Sequence, residues 1–341
     1  MPTDLTLPDP APVFELLEGF RRSKVLFAAV ELGVFDALAS GPIALSDFAP
    51  RLNCQQDALE RLLDACVQNQ LLTRDESGYH NTPAATMYLC QSSSRRMTGY
   101  IRYSNDVLWQ LWGKLEHAVQ DGTHRWKEVY GWDGPIFSHF FKTEESKREF
   151  LMGMHGYGCV SSPVVVSAFD LTTYQTLVDL GGATGHLAVA ACERYPHMRG
   201  IVFDLPDATP LAREMVSATR AANRIDVVGG DFFVDVLPAA DLFALGRIVH
   251  DWAEEKILRL LSRVYDRLPS GGAILIAEKL LWDDKTGPRW AQLQSLNMLV
   301  CTEGKERSLQ EYAAILERVG FVEVRGVRTA TPLDAVLATK P

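Results

Sequence analysis

The 341-residue sequence has no apolar run that reaches the ~18–20 residues needed to span a bilayer. Residues 1–14 lack a basic segment followed by an apolar one, so a secretory signal is not expected. The six cysteines (Cys54, Cys66, Cys90, Cys159, Cys192 and Cys301) are scattered, and no two form a C-x-x-C pair. That pattern excludes a disulfide framework and a thiolate metal site, and it fits reduced, mostly buried thiols in a cytoplasmic protein. Positive charge is also short. There are 34 Lys and Arg against 43 Asp and Glu, which gives a net charge of -9. Neutralising phosphates supplies most of the affinity for nucleic acid, so a polyanionic partner is disfavoured. Hydrophobic residues at 47% and charged residues at 23% are ordinary for a globular chain, and the length suits two domains.

Residues 1–11 read as a loose arm. From Phe14 to Leu38 apolar residues recur at helical spacing, with a break near Gly33. Leu45–Leu52 and Gln55–Asn69 follow as helices. Residues 71–89 then read as strand, turn and strand, with Gly78 in the turn. Helices followed by a β-wing outline a winged helix. The helix that would face DNA carries Asp57, Glu60 and Asp64 against Arg61 alone, so a structural or dimerising role is the better reading. Residues 95–170 look helical and aromatic-rich, with Trp109, Trp112, Trp126, Phe137, Phe140, Phe141 and Tyr157 among the rings. From Gln175 onward short β-like runs alternate with helical patterns. This is an α/β arrangement, a parallel sheet covered on both faces. The last two runs have no helix between them and must form an antiparallel hairpin. The expected domains are 1–100, a helical connector over 101–170, and an α/β domain over 171–341.

Chemistry concentrates at the ends of those runs. Asp179-Leu180-Gly181-Gly182-Ala183-Thr184-Gly185 closes a strand with a Gly-rich turn that opens a helix. The spacing departs from G-x-G-x-x-G, which favours a nucleoside over a dinucleotide. Asp204, ahead of Leu205 at the end of the next strand, suits the two hydroxyls of a ribose. Gly230-Asp231-Phe232-Phe233 follows the third strand. There one phenylalanine can cover an adenine face and Asp231 can accept from its amine. After the fourth strand come Arg247 and His250-Asp251-Trp252. An imidazole with an ordinary pKa near 6.5 is matched to proton abstraction, and a phenol is a poor nucleophile until deprotonated. Glu278 or Glu306 can orient that imidazole through its second nitrogen.

Taken in order, DLGGATG, FDLP, GDFF, RIVHDW, LPSGG and GKER resemble the small-molecule O-methyltransferases, the family that includes the caffeic acid and acetylserotonin enzymes. The resemblance implies a Rossmann-like methyltransferase sheet whose terminal strand is antiparallel. It implies S-adenosyl-methionine at the Gly-rich turn, Asp204, Leu205, Asp231, Phe232, Phe233 and Arg247. It implies His250 as base, flanked by Glu278 and Glu306, with no metal required. It implies a small aromatic hydroxyl substrate near Trp109, Met154, Asp251, Trp252, Asn297, Met298 and Cys301. It implies a homodimer through the N-terminal helices. The sequence also departs from the family. Cys301 stands where acetylserotonin enzymes carry Gln, Phe141 where a Tyr is expected, and Gly158 where a Trp is expected, with Tyr157 beside it. Those departures keep a binding-only paralogue in view; an NAD-dependent oxidoreductase is the other rival.

Overall fold

The computed structural model describes residues 8–134 and 143–341. Phe137, Phe140 and Phe141 lie outside the described residues, as does most of the expected N-terminal arm. The chain divides into two compact units, one ending at Asp106 and one beginning at Val107.

The first unit is helical apart from one hairpin. Helix Ala11–Glu31 ends before Gly33, whose φ of 73° lets the chain turn into the short helix Val34–Ala37. Ala29 and Val30 join Phe35, Phe48, Leu59, Leu63 and Tyr79 in one core. The other end of the same helix leaves Phe14, Leu17 and Phe20 more than half exposed. Helices Leu45–Arg51 and Gln56–Gln68 follow as expected. On the second, Asp57 pairs with Arg61, and Glu60 and Asp64 pair with Arg74 of β1.

Strands β1 (Leu72–Asp75) and β2 (Gly78–Asn81) pair antiparallel. Gly78 opens β2 and does not sit in the turn. A Cβ there would lie 2.2 Å from the Ile43 carbonyl oxygen, so close backbone approach demands glycine. The expected strand continues only to Asn81. Beyond it, Pro83–Leu89 is helical. Thr82 Oγ1 accepts from the Ala85 N–H at 3.2 Å, and Pro83 occupies the first helical position. Cap and proline together outweigh the β-like composition of that stretch.

The second unit begins with short helices at Trp109–Trp112, Leu115–Asp121 and Trp126–Tyr130, then the long helix Glu144–Val165. A seven-stranded sheet follows: β3 (Thr176–Leu180), β4 (Arg199–Asp204), β5 (Ile225–Gly229), β6 (Leu242–Gly246), β7 (Ala273–Glu278), β8 (Val322–Val327) and β9 (Asp334–Thr339). Their order is β5-β4-β3-β6-β7-β9-β8. Strands β3 to β7 are mutually parallel, and β9, the last in sequence, runs antiparallel between β7 and β8. The expected hairpin is therefore present, folded back so that its second strand contacts the parallel sheet.

Alternate residues build two apolar layers. Leu177, Val202, Leu242, Ala244 and Leu275 face helices His186–Arg194 and Thr209–Ser217. Val178, Phe203, Phe243, Leu245, Ile274 and Ile276 face helices Glu254–Arg267 and Leu309–Val319. Covered on both faces, the strands read as nearly continuous apolar runs. The chain moves outward from β3 to β5 and then returns to β6 on the other side of β3. That reversal opens a crevice beyond the carboxyl ends of β3 and β6, where doubly wound sheets bind ligands. No helix among the described residues is long and apolar enough to cross a membrane.

Candidate active site

The β3 side of the crevice is the Gly-rich turn. Gly181 and Gly185 have φ of 68° and 78°, a region that favours glycine. A Cβ on Gly182 would lie 2.7 Å from Asp179 Cγ. Asp179 itself is buried, and its Oδ2 accepts from the Ala188 N–H at 3.2 Å. Burial pushes its carboxyl up to about 7. It joins the strand to the following helix and so shapes the turn from behind.

Asp204, at the end of β4, stands beside that turn. Its Oδ2 accepts from the Ala183 N–H at 2.7 Å and its Oδ1 from the Leu205 N–H at 2.6 Å. Burial raises its pKa. Each oxygen keeps a lone pair for one more donor, which is what two adjacent ribose hydroxyls require. Leu205 is partly exposed next to it. After β5, Gly230 packs so closely on Phe203 that a Cβ would lie 2.5 Å from Phe203 Cζ. Asp231 Oδ1 accepts from the Phe233 N–H at 2.8 Å. The two phenylalanines part company. Phe232 reaches within 3.5 Å of the position of a Gly181 Cβ, whereas Phe233 meets Trp252 edge-on at 5.0 Å beneath Arg259. Phe232 is the ring at the turn. A Gly-lined approach, a braced carboxylate and an apolar ring fit an adenosine.

The β6 side holds the titratable groups. Arg247 has φ of 59°, a strained value for a side-chain-bearing residue, and its guanidinium lies 5.2 Å over the Tyr157 ring. His250 is buried and its Nδ1 lies 2.6 Å from Glu306 Oε1. An ionised carboxylate only accepts, so Nδ1 carries a proton in either charge state, and Nε2 holds the lone pair only in the neutral ring. The nearest acid to Nε2 is Asp251 Oδ1 at 3.8 Å, beyond hydrogen-bond range. Of the two candidate partners, then, Glu306 takes the ring. Glu278 takes the backbone: its Oε1 accepts from the Ile248 and His250 N–H groups at 3.1 and 3.0 Å, and its Oε2 from the Tyr312 hydroxyl.

Burial alone would lower the pKa of the imidazole. The carboxylates of Glu306, Glu278 and Asp251 outweigh it and hold His250 up at about 9. Burial in turn raises Glu278 and Asp251, the latter to about 7. The donor atoms of His250, Glu278 and Glu306 lie within 4.8 Å of one another, close enough to raise the question of a cation. These are the three residues that the sequence brings together as a base and its flanking acids. Glu278 accepts from three donors and Glu306 Oε1 from His250 Nδ1, while Glu306 Oε2 has no hydrogen-bond partner among the described residues.

The remaining expected residues fall into two groups. Asp251, Asn297, Met298 and Cys301 are all buried, and the charge of Asp251 bears on the Cys301 thiol. The Cys301 Sγ is turned onto its own helix, Arg289–Cys301, and donates to the Asn297 carbonyl at 2.5 Å. Trp112 Nε1 donates to Asn297 Oδ1 at 2.9 Å and Trp126 Nε1 to the Cys301 carbonyl at 2.8 Å. Trp252 packs on Phe233 and under Lys256. Met154 is half-buried on helix Glu144–Val165, and Trp109 is half-buried at the head of its own short helix.

Two participants were missed by sequence reasoning, Gly304 and Tyr312. A Cβ on Gly304 would sit 2.0 Å from the His250 carbonyl oxygen. Only glycine lets the loop carrying Glu306 press onto His250. The G in GKER was the available signal. Tyr312 lies four residues after a helix cap and carries no local mark.

Residues 112–322 match the O-methyltransferase domain family, and residues 14–91 match the O-methyltransferase dimerisation domain. The chain is 40% identical over 333 residues to bovine acetylserotonin O-methyltransferase, covering 96% of each. It is also 40% identical over 336 residues to a human probable bifunctional dTTP/UTP pyrophosphatase/methyltransferase protein. That match covers 98% of this chain, which spans only 54% of the human protein. The crystal structure of human N-acetylserotonin methyltransferase in complex with SAM superposes with a TM-score of 0.92 at 36% identity, covering 99% of both chains.

Replacing Gly304 with Ala should push the loop off His250. The expected outcome is at least a tenfold loss of kcat with ligand binding at the Gly-rich turn retained. Unchanged kcat would show that the loop can shift without cost. Sheet order, the crevice at the β3–β6 reversal and both domain matches agree: the chain belongs to the O-methyltransferase family.

Proposed function

We propose that this chain transfers a methyl group from S-adenosyl-methionine to a hydroxyl of a small aromatic molecule, with His250 as general base. The observation that carries the reading is the buried imidazole whose Nδ1 is tied to Glu306 and whose Nε2 has no hydrogen-bond partner among the described residues. When bound, S-adenosyl-methionine supplies an electrophilic methyl on a sulfonium. Asp204 takes the ribose hydroxyls, Phe232 covers the adenine, Asp231 accepts from its amine, and Arg247 contacts the cofactor from the β6 side. Nε2 of the neutral ring would take the proton of the acceptor hydroxyl, and the cofactor held at the turn would supply the methyl to that oxygen, its S–CH3 bond breaking to leave S-adenosyl-homocysteine. Glu306 steadies the imidazolium that forms. No covalent enzyme intermediate is needed, so the gain comes from positioning and from the base, the latter about 10²–10⁴-fold.

A base held at about 9 is close to a phenol's pKa of about 10, which keeps the proton transfer nearly balanced. That match supports a phenolic or hydroxyindole-like acceptor. Asp251, Asn297 and Met298 are the residues we assign to it. Cys301 spends its only donor on the Asn297 carbonyl and has none left for a substrate amide carbonyl. The acceptor therefore need not carry the amide that acetylserotonin does.

His250→Gln should lose at least a hundredfold in kcat while binding S-adenosyl-homocysteine normally by calorimetry. Normal turnover would remove His250 from the mechanism. Absence of turnover with every phenol and hydroxyindole tested, for the unmodified protein, would favour a binding-only role. The pH profile has a definite sign. The base acts only when deprotonated, so kcat/KM should rise with pH toward a midpoint near 9. Glu306→Gln removes a raising charge and should move that midpoint down.

The working assembly in this reading is a homodimer built through residues 1–100, with 101–170 as a connector that lines the substrate pocket and 171–341 as the catalytic domain. The exposed Phe14, Leu17 and Phe20 on helix Ala11–Glu31, within or beside the dimerisation match, support the first part. Replacing Leu17 and Phe20 with Glu should give a monomer in light scattering. A dimer that persists would place the interface elsewhere.

A further inference from the structure

Helix Glu144–Val165 and helix His186–Arg194 approach closely at one point. A Cβ added to Gly158 would lie 2.2 Å from His186 Cδ2, 2.3 Å from its Cγ and 2.4 Å from its Nδ1. The His186 ring thus occupies the space that a side chain at 158 would need. One turn further along the same helix, Ser162 Oγ lies 2.9 Å from His186 Nδ1. The ring is fixed by steric fit on one side and by a hydrogen bond on the other.

His186 is the first residue of its helix, directly after Gly185 of the Gly-rich turn. Its ring lies 6.4 Å from that of His155, whose Nδ1 in turn lies 2.8 Å from Thr184 Oγ1 within the turn. His186 retains some solvent exposure, and among the described residues only its Nδ1 has a hydrogen-bond partner. Arg247 lies 5.2 Å over the ring of Tyr157, the residue before Gly158, and its charge and that of His155 act on His186. Burial, ahead of those two charges, lowers its pKa to about 3, so the ring is neutral at any working pH.

This geometry can be combined with the proposed adenosine site, on which the inference rests. Asp204 and Phe232 account for the ribose and the adenine. What remains of S-adenosyl-methionine is its amino-acid tail, for whose carboxylate Arg247 would be a cationic partner on the β6 side of the turn. With Ser162 O–H donating to Nδ1, a neutral imidazole carries its proton on Nε2 and donates as well. We propose that His186 is a cofactor-binding residue whose Nε2–H, held in place by Gly158 and Ser162, binds the carboxylate of the methionyl tail beside Arg247.

The test compares two ligands by calorimetry. S-adenosyl-homocysteine carries the tail; 5′-methylthioadenosine lacks it. His186→Ala should weaken S-adenosyl-homocysteine by about tenfold or more, the usual range for a hydrogen bond to a charged group, and leave 5′-methylthioadenosine within about twofold. His186→Gln, which keeps a neutral donor, should restore most of the loss. The loss should be constant from about pH 6 to about pH 9, because the ring does not titrate there. Equal weakening of both ligands would mean that His186 only packs the two helices together, and it would overturn the inference. So would full affinity for both ligands in His186→Ala. If the unmodified protein bound neither nucleoside, the cofactor reading itself would fall, and this inference with it.

Discussion

The 2.6 Å contact between His250 Nδ1 and Glu306 Oε1 is the constraint around which the site is arranged. Both groups are buried, and Glu306 Oε2 has no hydrogen-bond partner. A buried carboxylate so poorly satisfied is costly unless a positive charge stands next to it, and removing one partner of such a pair typically costs ~3–5 kcal/mol. The protein meets that cost by keeping a proton on the ring. Three carboxylates around one imidazole make the imidazolium the comfortable state. The site is thereby inclined to accept a proton from a weak acid. The same arrangement leaves only about 1% of His250 as free base at neutral pH, given a pKa two units higher. Basicity is gained at the expense of the population that can act.

The sheet brings this network to the cofactor. Because the chain reverses between β3 and β6, the Gly-rich turn and the Arg247–His250 segment emerge side by side from adjacent parallel strands. Glu278 ends β7, one strand further, and clamps the backbone of Ile248 and His250. Glu306 arrives from a loop that Gly304 allows to lie flat on the His250 carbonyl. The proposed base, its orienting acid and the Gly-rich turn are thus held by rigid elements and one steric exception.

Much of this was legible in the sequence because each motif ends a strand, and apolar periodicity locates strands well. The Gly-rich turn, Asp204, Arg247 and His250 needed only that. The choice between Glu278 and Glu306 was not legible, since both follow apolar runs and differ only in where the tertiary fold aims them. The same holds for Phe232 against Phe233, where packing on Trp252 decides. Gly304 and Tyr312 act through contacts with distant segments; the G of GKER hints at the first, and no local spacing marks the second. The stretch after Asn81 was misjudged because composition suggested a strand, while a Thr cap and a proline set the helix. The bond from Cys301 to the Asn297 carbonyl is a tertiary detail that the sequence does not carry.

The proposed role of His250 depends on carboxylates holding a buried imidazole as a strong base. The most direct measurement is the ¹⁵N shift of the His250 ring nitrogens, followed against pH in the ligand-free protein. The account predicts both nitrogens protonated at pH 7, with the Nε2 proton lost only near pH 9. A ring that is already neutral at pH 7, with its midpoint at or below about 6.5, would contradict it.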